Sequence, residues 1–250
     1  MSNQHGPVVA IYNHDGGAGK TTTTLYLASY LAQHNQQLPL LIDFDPQGVL
    51  TKRIFGETPE YSATIADALP GKDRLIAYGK DDPLWIGSKY WAVAADTGLS
   101  SVAAALQAKS PNHHFLRSAL AKVQAYDARP ILIDCAPGLD ILTVNMMFAA
   151  DYLIIPVKCD EDANTDVRRV LAMVEDLGIA LQRAPKILGV VLTHCNVRTI
   201  AYRIKAKIEA LNIPILGEIS HRVGQNRHDC WRTEYAPVGA KLMEVLNGDL

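Results

Sequence analysis

Cysteine is scarce in this 250-residue chain: Cys135, Cys159, Cys195 and Cys230 are the four, and no two form a Cys-x-x-Cys pair. That spacing argues against a zinc knuckle or a dithiol redox centre. The expectation is reduced thiols in a cytosolic protein, packed as small hydrophobes. Long hydrophobic runs are missing too. The apolar stretches are strand-length, well short of the ~20 residues that span a membrane. The segment 1–7 has no basic run ahead of an apolar core, so no secretory leader is expected. Neither sign of charge dominates: 24 Lys and Arg against 26 Asp and Glu leave a formal net charge of −2. An anion-binding surface must then be a local patch. No low-complexity linker and no internal repeat divides the chain. With 48% hydrophobic and 20% charged residues, composition and length suit one α/β domain over 1–250. Its core needs no disulfide or structural metal.

What is present is alternation. Short apolar runs at Val8–Tyr12, Leu38–Phe44, Leu84–Val93, Ile131–Asp134, Tyr152–Val157, Ile187–Thr193 and Ile215–Ile219 read as strands. Helical patterns fall between and after them, at Thr21–Gln33, Thr97–Gln107, His114–Ala125, Leu139–Ala149, Asp162–Leu177, Thr199–Leu211 and Val238–Leu246. This order predicts βαβ units: a mostly parallel twisted sheet with helices on both faces. Glu57–Asp82 is the least periodic stretch and carries no assignment.

The most informative segment joins the first strand to the first helix: Asn13-His14-Asp15-Gly16-Gly17-Ala18-Gly19-Lys20-Thr21-Thr22. Glycines let backbone N–H groups converge on phosphate oxygens. The new helix adds unpaired N–H groups and the positive end of its dipole. Gly16, Gly17, Ala18, Gly19, Lys20, Thr21 and Thr22 are therefore expected to cradle phosphates. Lys20 would reach the β- and γ-phosphates and Thr21 would place its hydroxyl on Mg²⁺. The strict pattern G-x-x-x-x-G-K-[ST] needs glycine where this chain has His14, so only the local context supports a P-loop NTPase fold.

Such a site needs carboxylates near the metal and the attacking water. Two strands end in candidates: Asp43-Phe44-Asp45-Pro46-Gln47-Gly48 and Asp134-Cys135-Ala136-Pro137-Gly138. Ligands collect at the C-terminal strand ends of open α/β sheets. Asp134 follows an apolar run as a Walker B aspartate does and is expected to hold Mg²⁺. Gly138 would bring a backbone N–H to the γ-phosphate.

Together these segments resemble the ParA/MinD family of deviant Walker ATPases, in family order and spacing. Asp-x-Asp-Pro-Gln-Gly is closer to the ParA branch. The segment 241–250 is short and lacks a basic face, which weakens a membrane reading. The resemblance implies ATP and Mg²⁺ as cofactors and an ATP-sandwich homodimer. It also implies non-specific DNA binding, a cytoplasmic and nucleoid-associated location, and release by an adaptor, ParB-like or McdB-like. By the same resemblance Asp45 orients the attacking water and Asp43 supports the metal shell.

One position departs. The family's signature lysine precedes the paired glycines and reaches the partner's ATP; here it is Asp15. ParA-like proteins that position carboxysomes, called McdA, also lack it. Lys158, at the end of the strand after the Walker B strand, is expected to substitute. For DNA, the cations of the C-terminal half are the candidates: Arg198, Arg203, Lys205, Arg222, Arg227 and Arg232, with Lys207 among them. His113, His114, His194 and His221 show no recognised ligand spacing and are not assigned to a metal. Two other functions stay open: a metabolic P-loop enzyme such as a dethiobiotin-synthetase-like protein, and a hydrolysis-poor ATP-binding scaffold.

Overall fold

The computed structural model describes residues 6–35, 37–56, 61–69, 75–81, 89–124, 129–196, 198–221 and 227–248. Eight strands form one sheet, β1 (Val8–Ile11), β2 (Leu40–Phe44), β3 (Tyr78–Asp81), β4 (Lys89–Val93), β5 (Ile131–Cys135), β6 (Tyr152–Lys158), β7 (Lys186–Cys195) and β8 (Ile215–Ser220). Their spatial order is β3-β4-β2-β5-β1-β6-β7-β8. Every pairing is parallel except β3 with β4. The helices between them are α1 (Lys20–His34), α2 (Val49–Phe55), α3 (Ile65–Ala68), α4 (Gly98–Gln107), α5 (Phe115–Gln124), α6 (Ile141–Ala149), α7 (Ala163–Leu181), α8 (Arg198–Glu209) and α9 (Arg227–Asn247). The expected fold class, α/β with a mostly parallel sheet and helices on both faces, is the one observed.

Side-chain alternation along the strands divides the core in two. Val8, Ala10, Ile42, Ile133, Leu153 and Ile155 face one layer with α6 and α7. Val9, Ile11, Leu41, Leu132 and Ile154 face the other, against Leu25, Leu27 and Leu31 of α1 and Tyr235, Val238 and Leu242 of α9. Because the central strands are apolar on both faces, their runs read as continuous.

Two of the departures from expectation have local causes. The last helix opens at Arg227, not Val238, and carries Pro237 inside it. An internal proline costs ~3 kcal/mol. Burying Tyr235, Val238 and Leu242 against α1 and β8 offsets that. The unassigned stretch holds two elements. One is α3, opened by a Thr64–Asp67 capping box. The other is the edge strand β3, whose Tyr78 hydroxyl accepts from the Ser62 and Ala63 N–H groups at 2.9 and 3.1 Å. Both are too short to show a period. The strand expected at Leu84–Val93 is observed as Lys89–Val93, and 82–88 lie outside the described residues.

Candidate nucleotide site

Strand order assembles the site. In parallel strands all C-terminal ends share one edge, and β2, β5, β1 and β6 are consecutive there. Asp43 pairs in register with Asp134, and Asp134 with Ile11, the last residue of β1. Lys158 closes β6 on the other side of β1. Residues up to 175 positions apart in sequence thus meet on that edge.

The loop is held by groups that the sequence reading did not assign. Asn13, fully buried, donates from Nδ2 to the Pro156 carbonyl (2.7 Å) and accepts the Asp15 N–H (3.1 Å). Thr193 Oγ1 reaches the Ala18 carbonyl at 3.0 Å and the Val157 carbonyl at 3.2 Å. A Cβ at Gly19 would stand 3.1 Å from Thr193 Cγ2, and Gly19 has φ +92°, so both sterics and backbone require glycine there. Gly19 caps α1 without a side-chain hydrogen bond, and the first turn has no acidic residue. The helix therefore offers its first N–H groups and positive end to an external anion.

Gly16, Gly17, Gly19, Lys20, Thr21, Thr22 and Asp45 line a cleft of about 370 Å³. Arg53 and His194 line it too, although the sequence reading assigned neither. Arg53 comes from α2, an unanticipated helix, and donates to Thr22 Oγ1 at 3.2 Å. His194 sits at φ +57° beyond the expected strand end, with Nδ1 3.1 Å from Thr193 Oγ1. A separate cleft of about 430 Å³ between α1 and α9 shares no lining residue with this one.

Lys20 is only 7% exposed. Its ammonium donates to the Asp15 carbonyl (2.6 Å) and the Asn13 carbonyl (3.1 Å). Burial lowers its pKa, and the nearby Asp134, Cys135, Asp45 and Asp15 partly counter that. Lys158 lies beside the loop: a Cβ on Gly17 would be 3.7 Å from both its Cε and Nζ.

The two strand-end aspartates differ. Asp43 is fully buried and serves the turn into α2. Its Oδ2 accepts Thr51 N–H (2.8 Å) and hydroxyl (2.7 Å), and its Oδ1 accepts Asp45 N–H (3.1 Å). Burial raises its pKa to about 6 against these bonds. Asp134 is 2% exposed, and its Oδ1 has no hydrogen-bond partner. Burial first, then neighbouring Asp43, raises its pKa to about 8, while a hydrogen bond from Thr21 lowers it. A buried carboxylate with an orphan oxygen beside a threonine hydroxyl is a donor set that suits a hard divalent cation.

This yields an expected result. The folded state holds the Asp134 proton up to about pH 8, against an ordinary value of 3.8. Between those values it binds more protons than the unfolded chain, so stability falls as pH rises through that window. Asp134→Asn should raise the melting temperature of the nucleotide- and metal-free protein by several degrees at pH 8, about 2–8 °C. The gain should shrink toward pH 5. Calorimetry in a chelator would measure it, and a less stable variant at pH 8 would sink the reading of Asp134.

The proposed DNA cations fall into three groups. Arg203 pairs with Glu161 (3.0 Å), which also meets Lys207 (3.7 Å); Lys205 pairs with Glu218, and Arg232 with Asp229 (3.3 Å). Arg198 and Arg227 begin α8 and α9. Arg222 lies outside the described residues. No helix among the described residues is long and apolar enough to cross a membrane.

A parallel sheet that brings a glycine loop, a free helix N-terminus and buried aspartates to one edge defines a P-loop nucleotide-binding protein. Residues 6–187 match the family model described as an AAA domain. The chain is 33% identical over 202 residues to the chromosome partitioning protein ParA of Caulobacter vibrioides, spanning 74% of this chain and 68% of that protein. It superposes on cobyrinic acid a,c-diamide synthase from Mycobacterium smegmatis, solved with an ATP analogue and magnesium. There the TM-score is 0.83, with 24% identity over 98% of this chain and 97% of that one. For apo McdA of Cyanothece the TM-score is 0.82, with 22% identity over 96% and 100%. The chain belongs to the ParA family of P-loop ATPases.

Proposed function

We propose that this protein is an ATP-dependent, nucleoid-associated partition or positioning ATPase. It forms an ATP-sandwich dimer, binds DNA non-specifically and spaces or segregates a cargo through an adaptor. The cargo is a plasmid, a chromosome region or a carboxysome, and the adaptor is ParB-like or McdB-like. The orphan Oδ1 of Asp134 beside Thr21 and the glycine loop carries this reading, together with the kinship to partition proteins.

The loop N–H groups and α1 hold the phosphates of ATP, and Lys20 leaves the Asp15 and Asn13 carbonyls for the β- and γ-phosphates. Thr21 and Asp134 hold Mg²⁺, and Asp43 supports that shell through the Asp45 backbone it fixes. The ion, when bound, offsets phosphate charge as it develops in the transition state. Asp45 lines the cleft half-buried and orients the water that attacks the γ-phosphorus. Lys158 supplies the cation that Asp15 cannot.

DNA binding follows from cations now held in exposed pairs. Such pairs are worth about 0–1 kcal/mol, so phosphates displace Glu161 and its like at little cost. The ATP-loaded protein should bind unrelated duplexes, with affinity falling steeply as salt rises, because each phosphate contact releases counterions. Replacing Arg198, Arg203 and Arg222 together by glutamate should weaken this binding and leave ATP-driven dimerisation. Fluorescence anisotropy across a salt series, paired with ATP turnover with and without DNA, is the test. Salt-insensitive binding, or none in the ATP state, removes the nucleoid from the model. Turnover indifferent to DNA would favour a metabolic enzyme, a reading in keeping with the likeness to the diamide synthase. ATP binding without turnover would favour a scaffold.

A further inference from the structure

The geometry points to Tyr12 and His14 as a latch that holds the Gly138 loop off the γ-phosphate and thereby sets discrimination between ATP and ADP. This rests on the reading that the Gly138 N–H contacts the γ-phosphate.

Four bonds make the latch. The Gly138 N–H donates to the His14 carbonyl at 3.2 Å. The Gly138 carbonyl accepts the Tyr12 hydroxyl at 2.5 Å and the Thr143 hydroxyl at 3.0 Å. Tyr12 Oη also lies 2.8 Å from His14 Nδ1. Proton counting orients the last bond. Tyr12 has one hydroxyl hydrogen, and it goes to Gly138, so the Tyr12 oxygen must accept from His14 Nδ1–H. Burial keeps Tyr12 a neutral phenol by raising its pKa. His14 is thus clamped by its ring while its carbonyl occupies the Gly138 N–H. Gly138 sits at φ +94°, a conformation that favours glycine, and a Cβ built there would meet nothing within 4 Å.

The consequence is selective. A γ-phosphate can take the Gly138 N–H only if the His14 carbonyl gives it up. The Pro137–Gly138 peptide must then move, and because the next peptide is joined to it at the Gly138 Cα, the move strains both bonds to the Gly138 carbonyl. ADP has no γ-phosphate and asks nothing of the latch. The latch therefore weakens ATP binding and leaves ADP binding alone. His14 is the position where the strict phosphate-loop pattern has glycine. A glycine there would keep the carbonyl but lose the ring that fixes it. Tyr12 and His14 act through Gly138 and are positioning residues.

Tyr12→Phe removes the hydroxyl and keeps the buried ring. Expected results are faster hydrogen exchange over 134–142 in the nucleotide-free protein and an unchanged Kd for Mg-ADP. For a non-hydrolysable ATP analogue, Kd should tighten about tenfold, the worth of one to two neutral hydrogen bonds. His14→Gly should shift the same ratio in the same direction. Unchanged exchange in nucleotide-free Tyr12→Phe overturns the latch. An unchanged ratio of the two Kd values, or equal loss for both nucleotides as a merely structural tyrosine would give, overturns its role in discrimination. A wild-type arm separates the underlying reading. If the analogue protects 134–142 no more than ADP does, Gly138 does not contact the γ-phosphate, and the discrimination falls with it even where exchange supports the latch.

Discussion

Lys20→Ala abolishes ATP binding and leaves the fold in place. The ammonium is buried at the head of α1, with its donors on two loop carbonyls that phosphate oxygens can replace. Charge-assisted bonds of this kind contribute ~1.5–3 kcal/mol each, so losing two raises Kd by at least about a hundredfold. Among the described residues, Arg53 and Lys158 also stand near. Arg53 is engaged with Thr22, and Lys158 approaches at Gly17. Neither is rooted on α1 beneath the phosphates, so neither reproduces the contact. Titration calorimetry with Mg-ATP measures the loss, and circular dichroism checks the fold. Near-parent affinity in a folded variant would mean that the phosphates lie elsewhere.

Lys158→Ala loses ATP-dependent dimerisation while the monomer still binds ATP. The lysine is anchored at the last residue of β6, paired with Thr193 of β7, and its tip lies over the loop at Gly17. Asp15 is acidic where the resemblance implies a reaching lysine, so in the proposed dimer two nucleotides face to face lack a cation unless another supplies it. A strand-end lysine on the loop edge meets that need from a firm base. Loss of the contact should shift the dimer constant by about tenfold or more, as buried charge pairs at interfaces do. Size-exclusion chromatography with a non-hydrolysable analogue reads it directly. If the variant dimerises like the parent, Lys158 is a surface lysine, and Arg53, the other cation at the cleft, is next to be replaced.

The chemistry of the phosphate loop was legible in sequence because it is local. Strand, glycines, Lys20, Thr21 and helix are contiguous, and each is dictated by backbone conformation or by the helix end it starts. The apolar runs of β1, β2, β5, β6 and β7 were legible for a related reason: central parallel strands are buried on both faces, so burial leaves its mark on every residue. The short elements α2, α3 and β3 left no period to read, and α9 overrode its own proline because its face is packed against α1.

The sequence by itself thus determined the α/β class, the loop and the identity of Asp134 as a strand-end carboxylate. Only the tertiary structure decided what each polar group touches. Asp43 and Asp134 are neighbours in register, yet Thr51 occupies one and leaves the other with an orphan oxygen. Asn13 ties the loop to the Pro156 carbonyl of β6, Thr193 braces it from β7, and Tyr12 ties His14 to Gly138 across 126 positions. The physical reason is that strand order is a non-local property. It comes from crossovers and packing on two faces of a sheet, and residues far apart in the chain become partners only where that order sets their strand ends side by side.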